Sequence, residues 1–311
     1  MSNPEIAPRR ETPPFLPEKL LRQESEDLRV GPRMLERIEN ILSRDRGGSL
    51  SKTLSDLGTH EIGLATFASI AAVCAWDLSR RVYRIPSAFA DELSEGCGDL
   101  PASALAHLPV EDLYVSFGDG TGALASVTDQ GVLATYLIEA PTLPGHPVGP
   151  TPMAVPWGST IDEAVDKTME TYRKLGPEVG WMNPALGRLL SRTVASLMYL
   201  SSENADMVPV AEPRTARRKS IRRLFPERCP CELSDVGFNV LSDLRRARGE
   251  GNRGGGTGRT VAPHMRRGHW HTYHHGPKDA PADTFVRWLS PIAVNAGKGT
   301  PRTSVKDIGG N

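Results

Sequence analysis

The stretch Leu113-Tyr-Val-Ser-Phe117, Gly122-Ala-Leu-Ala-Ser-Val127, Val132-Leu-Ala-Thr-Tyr-Leu-Ile138 decides the fold. Its three short runs are apolar and divided by Gly118-Asp-Gly-Thr121 and Thr128-Asp-Gln-Gly131, the composition of tight turns. This spacing predicts an antiparallel meander over 113–139. Helical periodicity surrounds it. Pro32 suits the first turn of a helix over 33–45, in which Met34, Leu35, Ile38, Ile41 and Leu42 recur at three- and four-residue spacing before Gly47-Gly48. A second helix is predicted over 60–84, apolar on nearly every side and then basic at Arg80, Arg81 and Arg84, as suits a C-terminal end. Thr160 and Glu163 have capping-box spacing ahead of a helix over 160–175, and Asn183-Pro184 opens another over 184–202. Pro141 to Pro156 holds six prolines and is excluded from regular helix. Thr260–Tyr273 and Thr284–Asn295 read as two strands joined by a polar turn at Gly276-Pro-Lys-Asp279. The fold class is α+β: an antiparallel sheet, made of the meander and the C-terminal strands, packed against several helices.

At 311 residues the chain is long enough for two units or one elaborated domain. Residues 1–30 are proline-rich and charged, and are expected to be a disordered or loosely attached arm. Residues 31–205 would hold the helical layer and the meander, 206–260 a basic and glycine-rich linker, 261–295 the C-terminal strand pair, and 296–311 a flexible tail. The arm has no apolar core of a secretory signal, and the longest uncharged stretch, Ile62 to Trp76, is short of the ~20 residues that cross a bilayer. Four cysteines, Cys74, Cys97, Cys229 and Cys231, are too few and too irregular for a disulfide framework. A cytoplasmic protein with no membrane contact is expected. Cys229-Pro-Cys231 lacks a second cysteine pair for zinc, and Gly254-Gly-Gly-Thr-Gly258 lacks the lysine of a phosphate loop.

The formal net charge of zero conceals an asymmetry. Ile85 to Tyr172 carries one basic residue against thirteen acidic ones, whereas Pro213 to His275 carries fourteen Lys/Arg against five Asp/Glu. The two regions either neutralise each other, within one chain or across a homodimer, or the basic one meets an anionic partner, RNA being the natural choice. Arg217, Arg218, Lys219, Arg222 and Arg223 are the candidates for phosphate contact.

Five of the eight histidines fall in the twelve residues His264 to His275, among Arg266, Arg267, Trp270 and Tyr273, shortly before Arg287 and Trp288. As a strand this segment places His264, Arg266, Trp270 and Thr272 on one face and Arg267, His269, His271 and Tyr273 on the other. Imidazoles, guanidinium groups and rings together suit binding by stacking and hydrogen bonding. They also suit metal-independent RNA cleavage, with His269 and His271 as base and acid and Arg267 stabilising the developing charge. A metal site lacks a carboxylate or thiolate to complete it, and nearby arginines oppose a cation, so neither metal nor cofactor is expected. The remaining reading is a polar edge that pairs with the acidic half and packs Trp270 inward.

Ala75-Trp-Asp-Leu-Ser-Arg-Arg-Val-Tyr-Arg84, Leu108-Pro-Val-Glu-Asp-Leu-Tyr-Val115, Ala262-Pro-His-Met-Arg-Arg-Gly-His-Trp-His271 and Arg287-Trp-Leu-Ser-Pro291 together resemble the second family of type V-A anti-CRISPR proteins, carried by phages and plasmids. The resemblance runs from about residue 60 to residue 295. It implies a protein of the bacterial host cytoplasm that lowers production of a type V CRISPR effector nuclease. The route it implies is recognition of the nascent effector polypeptide and loss of its message, with mRNA or the ribosome as a further partner. It carries over no catalytic residue. The reading that leads is therefore a non-enzymatic binder acting through 264–291. A ribonuclease, and a nucleic-acid-binding mobile-element protein unrelated to CRISPR, are the alternatives.

Overall fold

The computed structural model describes residues 16–20, 64–139, 148–175, 186–210, 231–241, 264–266, 268–276 and 283–294. The expected helix over 33–45, the glycine-rich run 247–260, Cys229 and the tail 296–311 lie outside them.

Seven strands make one mixed sheet: β1 (Arg81–Arg84), β2 (Asp112–Ser116), β3 (Thr121–Thr128), β4 (Gly131–Glu139), β5 (Val148–Pro156), β6 (Met207–Val210) and β7 (Glu232–Val236). Their order is β5-β4-β3-β2-β1-β7-β6. The predicted meander is β2–β3–β4, antiparallel, with Leu113 opposite Ala125 and Ala125 opposite Ala134. The centre of the sheet departs from the antiparallel expectation, because β1 is parallel to both β2 and β7. The connection from β1 to β2 runs through α2 (Ser87–Ser94) and a 3-10 turn (Ala102–His107), the kind of crossover that parallel neighbours require.

The helix expected over 60–84 is shorter, and its last residues are a strand. α1 spans Leu64–Ser79, and Arg80 then takes a left-handed φ of 49° that turns the chain into β1. A side chain with a Cβ costs roughly 1–2 kcal/mol there. Arg80 is held in place by Asp77 at 2.5 Å and Glu18 at 2.6 Å, all three largely buried, with Cys231 Sγ at 3.3 Å. Beyond this corner Val82 and Tyr83, β-branched and aromatic, pair on both sides with Tyr114 and Val115 and with Leu233 and Ser234. The basic residues that look like a helix terminus are thus a corner and two strand-end ion pairs, Arg81–Glu232 and Arg84–Asp235.

The six-proline stretch ends in β5, which sequence reading left unassigned. Within β5, Pro150, Pro152 and Pro156 face β4 on one side only, and an edge strand tolerates the missing N–H groups. Two other helices fall where expected: α3 (Ile161–Leu175) and α4 (Leu186–Ser201). The capping box opens α3 reciprocally, Thr160 N donating to Glu163 Oε2 at 2.9 Å and Glu163 N to Thr160 Oγ1 at 3.3 Å. In the N-terminal arm, residues 16–20 form a helical turn with Leu16 and Leu20 buried, while Lys19 pairs with Glu139 at 2.6 Å.

Alternation along the strands sorts side chains between two cores. Tyr114 faces α1 and meets Trp76 edge-on at 6.3 Å. Leu113, Val115, Ala123, Ala125 and Ala134 face the other way, into the larger core shared with α2, α3 and α4. The C-terminal strands do not join this sheet, contrary to expectation. They form two separate two-stranded ladders, and the one that carries Val286 and Trp288 lies on the larger core, where Trp288 fills a gap between α2 and α4.

Candidate nucleic-acid and peptide interface

β9 (His269–His275) pairs antiparallel with β10 (Asp283–Leu289), setting Trp270 opposite Trp288, His271 opposite Arg287, and Tyr273 opposite Phe285. β8 (His264–Arg266) and β11 (Ile292–Val294) form the other ladder, His264 opposite Val294 and Arg266 opposite Ile292. At the break between the ladders, a Cβ on Gly268 would stand 2.3 Å from Trp288 Cζ2, so only glycine lets the strand lie against that indole.

The alternation expected from sequence divides the β9–β10 hairpin into two unlike faces. The inward face is an anchor. Trp288 is 1% exposed and meets Phe89 of α2 at 5.2 Å and Tyr199 of α4 at 6.3 Å, both edge-to-face. Phe89 and Tyr199 close the triangle at 5.0 Å. Such pairs add ~0.5–1.5 kcal/mol each beyond the area they bury. Trp270 donates its Nε1 proton to the carbonyl of Leu93 at 2.8 Å, satisfying one of the carbonyls that the end of α2 leaves open. Asn204 Nδ2 donates to the Trp288 carbonyl at 2.9 Å. Burial pushes the Tyr199 phenol up to about 12.

The outward face is a column of rings. His271 and Tyr273 have centroids 4.4 Å apart, Tyr273 stacks on Phe285 at 5.2 Å, and His275 stacks on Phe285 at 4.9 Å. The Arg287 guanidinium lies over Tyr273 at 5.2 Å and Phe285 at 5.6 Å, and its Nη2 pairs with Glu203. The two end rings, His271 and His275, are exposed; Tyr273 is half-buried between its neighbours. This arrangement presents stacked rings beside a guanidinium that is already ion-paired. His269 and His271 share the face, two residues and about 7 Å apart along the strand.

Among the residues singled out in the sequence, His269, His271, Tyr273 and Arg287 come together on the outward face. Trp288 does not: it is a core side chain, and Trp270 is mostly an anchor. Both were expected among the binding residues, and both are drawn inward because they share the parity of Val286, which is 1% exposed. His264 and Arg266 sit in β8. Arg267, Arg217, Arg218, Lys219, Arg222 and Arg223 lie outside the described residues. Phe285 and His275 were missed, although the signal was present: Phe285 lies two residues before Arg287 on a strand already recognised. Glu203 and Leu93, from α4's end and α2, had no local signal. Among the described residues no group of three or more His, Cys, Asp or Glu is placed to hold a metal ion, and no helix is long and apolar enough to cross a membrane.

Comparison with known proteins agrees with this architecture. The crystal structure of AcrVA2 superposes with a TM-score of 0.55, covering 90% of this chain and 99% of that one at 17% identity, a likeness of fold. No curated protein sequence matches the chain. The family model of the AcrVA2-like proteins matches residues 83–296, from the middle of β1 to just past β11. That span is more than half of the sequence and contains the whole hairpin, so the chain belongs to the anti-CRISPR type V subtype A2 family.

Proposed function

We propose that this protein lowers production of a type V CRISPR effector nuclease by recognising its nascent polypeptide and causing loss of its message, and that the β9–β10 hairpin supplies a recognition surface for the task. It acts in the cytoplasm of the bacterial host, without a cofactor. The observation that carries this reading is the outward face of the hairpin, where His271, Tyr273, Phe285 and His275 form one column beside Arg287. A column of rings already stacked on one another, with a guanidinium across them, is prearranged for contact and needs little ordering on binding. The anchoring of the hairpin by Trp288 and Trp270 supports the same reading, since a rigid support keeps such a surface in one shape. The acidic region of residues 85–172 suits a basic polypeptide segment, and the basic C-terminal region suits RNA.

The test measures message abundance for a co-expressed type V effector, using the wild type and the His269→Ala/His271→Ala variant, with a translatable transcript and one lacking its start codon. Loss confined to the translated message, and abolished in the variant, is the expected result. Equal loss of both transcripts would instead identify a general ribonuclease, and loss of neither would leave the fold with a different target.

A further inference from the structure

The proposed function leaves open what the ring column touches. The strand that carries the column, His269–His275, holds four histidines and no carboxylate. The rings follow one another along it, His271 tilted against Tyr273 and the other two pairs stacked, with successive centroids 4.4, 5.2 and 4.9 Å apart. Their inner faces are therefore occupied by each other. The exposed imidazoles His271 and His275 terminate the column at either end, and each has its neighbour, Tyr273 or Phe285, on one side. A flat ring added to either end continues the pattern. Arg287, paired with Glu203, lays its guanidinium over Tyr273 and Phe285 in the middle.

We infer that the outward face of the β9–β10 hairpin binds single-stranded RNA, with unpaired bases stacking on the end imidazoles of the column and the Arg287 guanidinium meeting the backbone. This rests on the proposed function and deepens it: of the two partners named there, the message is assigned to this face and the polypeptide to another. Single-stranded nucleic acid supplies free π-faces for the end imidazoles and phosphates that compete with Glu203 for Arg287. Duplex RNA hides its bases in its own stack and supplies only the charge. A basic peptide segment supplies neither, and an acidic aromatic one is the competing occupant.

The experiment is fluorescence anisotropy of the full chain with a labelled single-stranded oligoribonucleotide of about a dozen nucleotides, in the range a stacking surface covers. Duplex RNA of equal length and an acidic, aromatic-containing peptide are run alongside. The expected result is tighter binding of single strand than duplex, weakened roughly 5- to 150-fold by Tyr273→Ala or His271→Ala, and largely retained by Tyr273→Phe, because a stacked base contributes ~1–3 kcal/mol. Unchanged melting temperature of each variant separates lost contact from lost fold. Equal affinity for duplex and single strand, RNA binding indifferent to Tyr273→Ala, or binding of the peptide but not RNA would overturn the assignment. The two readings fail separately. RNA binding that is indifferent to Tyr273→Ala, in a protein that still lowers the translated effector message, sinks this inference alone. A wild type that binds RNA through this face yet leaves effector message intact sinks the proposed function alone.

Discussion

The two faces of the β9–β10 hairpin are made from alternate residues of the same two strands, yet they do opposite things. Trp288, Val286 and Trp270 point inward and end in a close-packed ring cluster and a hydrogen bond to α2. His271, Tyr273 and Arg287, each one residue away from an inward neighbour, end in a half-exposed column that packs mainly on itself. The difference separates what holds the hairpin from what the hairpin offers. An inward ring contributes by leaving water, whereas an outward ring such as His271 or Tyr273 keeps part of its surface in water and contributes less. The comparison can be broken experimentally wherever an inward change proves harmless or an outward one proves destabilising.

The largest effect belongs to Trp288. Trp288→Ala would remove the side chain that meets both Phe89 and Tyr199, and a buried Trp or Phe truncated to Ala typically costs about 3–5 kcal/mol. Urea denaturation should show an unfolding free energy lowered by that amount. A loss below 1 kcal/mol would mean that the hairpin is held by something else.

Tyr199 tests the same cluster through pH. Burial raises its phenol from an ordinary 10 to about 12, against a smaller opposing pull from the hydrogen bond it accepts from Asp206 N, because the charged phenolate is disfavoured in that site. A group raised in the folded state contributes stability that is complete below pH 10 and is lost as the pH climbs through 12. The gap corresponds to roughly 3 kcal/mol. The wild type should therefore lose about that much more stability across this window than Tyr199→Phe, even though the variant also gives up the bond that Asp206 N donates to the hydroxyl at 3.0 Å. Parallel alkaline losses in both proteins would show that the phenol is not held neutral by the cluster.

Trp270 comes next. Trp270→Phe keeps a ring but deletes the donor to Leu93, and a neutral hydrogen bond contributes ~1 kcal/mol net. Hydrogen exchange at the end of α2 should quicken by the matching factor of about five. Exchange at the wild-type rate would mean that water replaces the indole without cost.

How much of this was legible in the sequence follows from the same division. The meander, α3 with its capping box, α4 and the two C-terminal strands are written in local patterns: period-two apolar runs, Thr160 with Glu163, and leucines at helical spacing. The inward and outward parity of the His-rich strand was legible too, because alternation is a property of any strand. The corner at Arg80 was not. It depends on Glu18, 62 residues away, and on Asp77, and no local pattern marks a left-handed arginine. The parallel setting of β1 was hidden for the same reason, since its partners come from β2 and β7. At the site, Trp288 was misread as a contact residue because its destination, the gap between Phe89 and Tyr199, is built by two distant helices.

The smallest expected effect is the most telling. Tyr273→Ala removes a ring between His271 and Phe285, at 4.4 and 5.2 Å, from a half-exposed surface. Phe285 loses its stacking partner but keeps His275 at 4.9 Å, and no cavity is opened in the main core. Cross-strand pairs of this kind contribute ~0.2–1 kcal/mol, so the melting temperature should move by no more than a few degrees. The same substitution should nonetheless abolish most of the effect on effector message. A near-silent change in stability coupled to a large change in activity is what distinguishes an offered surface from an anchoring one. If Tyr273→Ala instead costs as much as Trp288→Ala, the outward column is a second core, and the division of the hairpin into support and contact surface fails.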